Sequence, residues 1–130
     1  MLKKPMISIV DDDPSARESL VDLVKSMGFS AEAFPSAEEF LQSKLLRDTS
    51  CLIADVQMPG ITGLELHTSL VRSDSAIPTI LITAFPNEKD RAAARRSGVT
   101  SYLVKPFDDK DLLASIRSAL ASPDDGGRQS

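Results

Sequence analysis

Four short apolar runs in this 130-residue chain end at residues that can do chemistry. Met6 to Val10 stops at Asp11-Asp12-Asp13, and Cys51-Leu52-Ile53-Ala54 stops at Asp55. Thr79-Ile80-Leu81-Ile82 stops at Thr83, and Ser101 to Val104 stops at Lys105-Pro106. Clustered carboxylates repel and raise one another's pKa unless something compensates. A hard divalent cation with oxygen ligands is the usual compensation, and few carboxylates plus several waters suit Mg²⁺, with Mn²⁺ expected to substitute. Asp11, Asp12 and Asp55 are then balanced in charge by the ion together with Lys105. A site so balanced suits a phosphoryl group, whose oxygens the metal and lysine neutralise while the Thr83 hydroxyl donates to another. Asp55 is the candidate nucleophile, and the product would be an aspartyl phosphate. Taken singly, each residue has an ordinary structural reading as a turn, a cap or a surface group. Such residues at all four strand ends make a stronger pattern than any one of them.

These residues must be brought together by the elements that carry them. After Asp11-Asp12-Asp13, Pro14 and Ser15 suit a helix start, and Leu20, Leu23, Val24 and Met27 recur at helical spacing up to Gly28. Phe29 to Phe34 reads as a second strand. Pro35-Ser36 then opens a helix with Ala37, Phe40, Leu41 and Leu45 on one face. The third strand, Cys51 onward, is followed by a Pro59-Gly60 turn and a helix from about Gly63 to Arg72, with Leu66 and Leu70 inward. Pro86 to Ser97 forms a weakly amphipathic fourth helix, with Gly98 as a left-handed stop. The last helix, about Asp108 to Leu120, carries Leu112, Leu113, Ile116 and Leu120 inward. The result is five βα units. Such alternation predicts a doubly wound, five-stranded parallel sheet, an α/β flavodoxin-like fold of strand order 2-1-3-4-5. In that order the carboxyl ends of strands one, three, four and five share one rim.

Bulk composition narrows the function classes. Hydrophobic content of 42% and charged content of 26% fit a soluble globular domain. A formal net charge of −4 argues against direct nucleic-acid binding. No apolar run approaches the roughly 18 residues needed to span a bilayer. The amino terminus lacks the apolar core of a signal peptide, so a cytoplasmic location is expected. The single cysteine, Cys51, offers neither a disulfide framework nor a metal cluster and reads as core filling. Residues 1–121 are expected to form one domain, and 122–130, of linker composition, a disordered tail or the start of a linker.

The stretches ISIVDDDPSAR, CLIADVQMPGITGLEL, PTILITAF and SYLVKPFDDKDL resemble those of two-component response-regulator receiver domains, the CheY-like family, and in particular receivers of the FixJ/NarL type. The resemblance runs from Met6 to Leu120. It implies that Asp55 accepts a phosphoryl group from a phosphohistidine on a sensor histidine kinase. It further implies that Asp11, Asp12, Asp55 and the backbone carbonyl of Gln57 hold Mg²⁺. Lys105 would pair with Asp55 or the phosphoryl group, across a cis Lys105-Pro106 bond. Thr83 and Tyr102 would form a switch pair that remodels the face made by helix four, strand five and helix five. Small Ala84 would leave the site open, and Gln57 and Phe85 occupy positions that tune phosphoryl lifetime. Such a domain is not an enzyme acting on separate substrates. It promotes only its own phosphorylation and dephosphorylation, and signals to an output domain or partner, with phosphorylation-dependent homodimerisation as a hypothesis. Asp13 is expected as a helix cap, His67 as a solvent-facing residue, and Arg91, Arg95 and Arg96 as a solvated basic face.

Two other readings compete. A haloacid-dehalogenase-like phosphohydrolase would use Asp11 and Asp13 as nucleophile and acid, with Thr83 and Lys105 as later motifs. It lacks a cap insertion here and leaves Asp55 without a role. A non-phosphorylated pseudo-receiver would signal through partner contacts alone, against which the full set of strand-end residues counts.

Overall fold

The computed structural model describes residues 4–121, so the expected tail at 122–130 lies outside the described residues. Five strands alternate with helices: β1 (Met6–Val10), α1 (Pro14–Ser26), β2 (Ser30–Phe34), α2 (Ala37–Leu41), β3 (Cys51–Asp55), α3 (Gly63–Arg72), β4 (Thr79–Thr83), α4 (Glu88–Ser97), β5 (Ser101–Val104) and α5 (Asp109–Ala121). All four strand pairs are parallel, and the order is β2-β1-β3-β4-β5. This is the doubly wound α/β arrangement expected from the pattern. Reversal of chain direction across the sheet at β1 and β3 creates the crevice in which such folds place their sites.

Alternation along the strands divides the core into two layers. Ile7, Ile9, Cys51, Ile53, Ile80 and Ile82 point to the face covered by Leu20 and Val24 of α1 and Leu112, Ile116 and Ala119 of α5. Val10, Leu52, Ala54 and Leu81 point to the other face, covered by Phe40 of α2, Leu66 and Leu70 of α3 and Ala94 of α4. Strands β3 and β4 are buried along their whole length, which explains why they read as continuous apolar runs rather than alternating ones.

Local chemistry sets the helix starts. The Asp13 carboxylate accepts from the Ser15 N–H and caps α1, with Pro14 at the first helical position. Thr62 and Glu65 form a reciprocal capping box that begins α3, with bonds of 3.1 and 2.9 Å. Gly98 ends α4 at φ 84°, in the left-handed region.

Three sequence expectations change. The helix proposed to run from Ala37 through Leu45 breaks after Leu41, and Lys44–Asp48 continues as a 3₁₀ turn. The Ser43 hydroxyl accepts from the Leu45 N–H at 2.9 Å, taking the donor that would have continued the α-helical ladder. On α5 the inward stripe is Leu112, Ser115, Ile116 and Ala119, so Leu113 lies at its margin, half-buried. His67, expected to face solvent, is buried at 4% exposure. The inner face of α3 is wide enough to take it: Gly63, Leu66, His67 and Leu70 follow the i, i+3, i+4, i+7 repeat of a single helical face.

Candidate functional site

The carboxyl ends of β1, β3, β4 and β5 form one rim, and parallel register fixes what meets there. Val10 is level with Ala54, Asp55 with Ile82, and Thr83 with Val104. Backbone bonds carry the ladder just past the strands: Val56 N–H donates to the Ile82 carbonyl and Lys105 N–H to the Thr83 carbonyl, both at 2.8 Å. Asp11, Asp55, Thr83 and Lys105 are thereby held at the ends of rigid elements.

Asp55 is almost fully buried, at 8% exposure. One carboxylate oxygen accepts from the Gln57 N–H at 2.9 Å and the other from Lys105 Nζ at 3.3 Å. Lys105 also stands 3.6 Å from Asp11 Oδ2, so one ammonium serves two buried carboxylates. The Lys105-Pro106 peptide bond is cis. Asp11 is completely buried. Its Oδ1 accepts from the Asp13 N–H at 3.0 Å, whereas its Oδ2 is buried with no hydrogen-bond partner. Burial pushes the Asp11 pKa above the ordinary carboxylate value. The Asp13 N–H and Lys105 oppose that shift, while Asp55 and Asp12 add to it. Arg17 of α1 donates to the Asp11 carbonyl at 2.9 Å and ties the helix to this corner.

Carboxylate oxygens of Asp11, Asp12 and Asp55 lie within 4.8 Å of one another. Three carboxylates, one of which has a buried oxygen that no hydrogen bond satisfies, fit a divalent cation of the Mg²⁺ type. Asp12 is exposed, so such a site opens to water on that side. Asp13 is outside the cluster, its carboxylate spent on capping α1. An apolar groove of about 350 Å³, lined by Ala16, Leu20, Leu23, Pro106 and Phe107, borders Lys105.

Thr83 is fully buried, but its hydroxyl does not bond to Asp55. It donates to Gln57 Oε1 at 2.5 Å and accepts from the Phe85 N–H at 3.0 Å. The Gln57 amide also donates to the Phe85 carbonyl at 3.4 Å. Phe85 itself is 73% exposed, and Ala84 is exposed beside it. Tyr102 is half-buried on β5, with its ring under the Arg91 guanidinium, 4.9 Å from the ring centre. Its hydroxyl is buried and lacks a hydrogen-bond partner.

Sequence reasoning singled out Asp11, Asp12, Asp55 and Lys105, which come together, and Thr83 and Tyr102, which lie beyond them on β4 and β5. It valued Gln57 for its carbonyl and position and overlooked the side-chain bridge to Thr83. It read Arg91 as part of a solvated basic face and missed that this partly exposed side chain also covers Tyr102 and pairs with Glu88 at 3.6 Å. Gly63 passed only as a helix start, although it lets α3 pack against the Asp55 peptide.

The family model described as response regulator receiver domain matches residues 7–117. Nodulation protein W of Bradyrhizobium diazoefficiens is 40% identical over 116 residues, covering 89% of this chain and 51% of that protein. Transcriptional regulatory protein FixJ of Azorhizobium caulinodans is 35% identical over 123 residues, covering 95% of this chain and 58% of that protein. The crystal structure of FixJ-N superposes with a TM-score of 0.83 at 30% identity, over 92% of this chain and 96% of that one. The chain spans about half the length of the curated relatives it matches.

Proposed function

The chain belongs to the response regulator receiver domain family, and from that premise we propose that it accepts a phosphoryl group on Asp55 from a phosphohistidine of a sensor histidine kinase. The observation that carries this reading is the placing of the Asp55 carboxylate between the Lys105 ammonium and the Gln57 N–H, beside an Asp11 oxygen that the same ammonium faces at 3.6 Å and no hydrogen bond satisfies. An Asp55 oxygen attacks phosphorus, the P–N bond breaks, and its electron pair leaves with the imidazole. Lys105, within reach of both Asp55 and Asp11, neutralises charge on the transferred group. Asp11, Asp12, Asp55 and the Gln57 carbonyl would hold Mg²⁺, with Mn²⁺ as a substitute. When bound, that ion supplies charge neutralisation for the acceptor and the phosphoryl oxygens.

The Thr83 hydroxyl then turns to the phosphoryl oxygen, and Tyr102 responds to the space it leaves. Both residues lie on the strands next to α4 and α5, so the change is expressed on the α4–β5–α5 face. That face would signal to an output domain or partner protein, or pair two phosphorylated copies. A mass that stays monomeric by light scattering with a phosphoryl mimic would reject the dimer. Among the described residues no helix is long and apolar enough to cross a membrane. The hydrolase alternative is disfavoured because Asp13, its required acid, is committed to capping α1.

Intact-mass measurement after incubation with a small acyl phosphate tests the proposal. Wild type should gain one phosphoryl group only with Mg²⁺, and Asp55→Asn should gain none. An adduct that persists in Asp55→Asn but disappears in Asp11→Asn would favour the hydrolase. No adduct under any condition would favour the pseudo-receiver.

A further inference from the structure

A threonine hydroxyl has one hydrogen to donate. That of Thr83 accepts from the Phe85 N–H, and its one hydrogen goes to Gln57 Oε1. The orientation of the Gln57 amide follows from its two contacts, because Oε1 must face the hydroxyl and Nε2 must face the Phe85 carbonyl. The bridge therefore ties the loop after β3 to the loop after β4, across 26 positions of sequence. A Thr83 hydroxyl that donates to Gln57 cannot donate to a phosphoryl oxygen on Asp55.

We infer that the Gln57 side chain is a latch on the Thr83 hydroxyl, a positioning residue that holds the unphosphorylated arrangement and must release before Thr83 can engage a phosphoryl group. This rests on the reading of Asp55 as the phosphoryl acceptor. Gln57 is exposed, so its amide finds water once released, and the cost of release is that of one solvent-exchangeable hydrogen bond. A bond of that kind corresponds to about a two- to tenfold bias in the equilibrium between the two arrangements. The latch sets how much of the phosphoryl group's contact energy is spent on switching, without contributing to the transfer step.

The test is calorimetric titration of the chain with beryllium fluoride, used as the phosphoryl mimic, in the presence of Mg²⁺. Gln57→Met removes the amide and leaves the backbone carbonyl in place. It should bind the mimic about two- to tenfold more tightly than wild type. In a Thr83→Val background, the same change should leave affinity unaltered, since no hydroxyl remains to be released. Equal affinity of wild type and Gln57→Met overturns the latch while leaving Asp55 as acceptor intact. An undiminished Gln57→Met effect in the Thr83→Val background also overturns it, by showing that Gln57 acts elsewhere. Failure of wild type to bind the mimic removes the acceptor reading, and the latch with it.

Discussion

A methyl group placed on Gly63 would lie 2.4 Å from the carbonyl oxygen of Asp55 and 3.1 Å from the side chain of Leu81. The first residue of α3 is therefore pressed against the peptide that carries the candidate acceptor, and a Cβ is excluded by backbone on one side and core on the other. Helix start and site share one contact surface, so neither can shift alone.

Gly63→Ala should destabilise the fold by about 1–3 kcal/mol, the usual cost of overpacking, despite alanine's better helix propensity. Because the displaced atom belongs to Asp55, phosphoryl incorporation from an acyl phosphate should also slow. Chemical denaturation together with intact-mass kinetics checks both. Unchanged values of each would show that α3 can retreat from β3 freely.

Asp11 predicts how stability responds to a divalent ion. Its folded pKa is raised chiefly by burial. A carboxyl whose folded pKa is raised binds its proton more tightly in the folded state than in the unfolded one. Its contribution is therefore favourable when protonated and is lost as pH rises from the ordinary value of 3.8 through the folded pKa. At neutral pH the ionised group is a liability that a cation would relieve. Mg²⁺ at about a hundred times its dissociation constant should add roughly 2.7 kcal/mol. Asp11→Asn should be more stable than wild type without Mg²⁺ and gain little from it. Thermal melts of both proteins with and without the ion decide the matter.

His67 should make the fold sensitive to mild acid. Burial lowers its pKa from 6.5, and its Nδ1 has no hydrogen-bond partner. Below that value the unfolded chain takes up a proton that the folded chain resists. Stability is thus fully present above about pH 6.5 and falls as pH drops toward the folded pKa. His67→Leu, of similar apolar volume, should lose less stability between about pH 7.5 and about pH 5.5 than wild type. Parallel losses in urea denaturation would assign the acid sensitivity to other groups.

Arg91 should hold the Tyr102 ring through a cation–π contact, worth about 0.5–1 kcal/mol at a partly exposed position. The sequence has one tyrosine and no tryptophan, so emission excited at wavelengths beyond the phenylalanine band reports Tyr102. Arg91→Ala should change that emission and lower stability by about the same amount, with Arg91→Lys in between because a point charge stacks less well. An unaltered spectrum in Arg91→Ala would mean that β5 alone positions the ring.

The architecture and the membership of the rim were legible because both depend on local patterns. Strands buried on both faces must be continuously apolar, a chemical residue that ends such a run must sit at a strand end, and parallel βα units put all those ends on one side. Asp11, Asp55, Thr83 and Lys105 could therefore be assigned to one rim from sequence alone. Helix ends were legible too, since Asp13 and Gly98 act on their own neighbours. The Ala37 to Leu45 stretch misled because its apolar spacing is helical while Ser43 diverts a backbone donor, an effect smaller than the periodicity that hides it. His67 was placed outside because a lone polar residue carries no sign of how wide a buried helical face will be.

The links between loops were decided by tertiary structure alone. Gln57 meets Thr83, Arg91 covers Tyr102, and Gly63 abuts Asp55 only because packing and strand register bring separately specified segments to van der Waals distance. Composition and spacing along the chain specify which face a residue occupies. They do not specify which side chain from another segment arrives opposite it, and that is settled by the summed geometry of sheet twist, loop path and core volume.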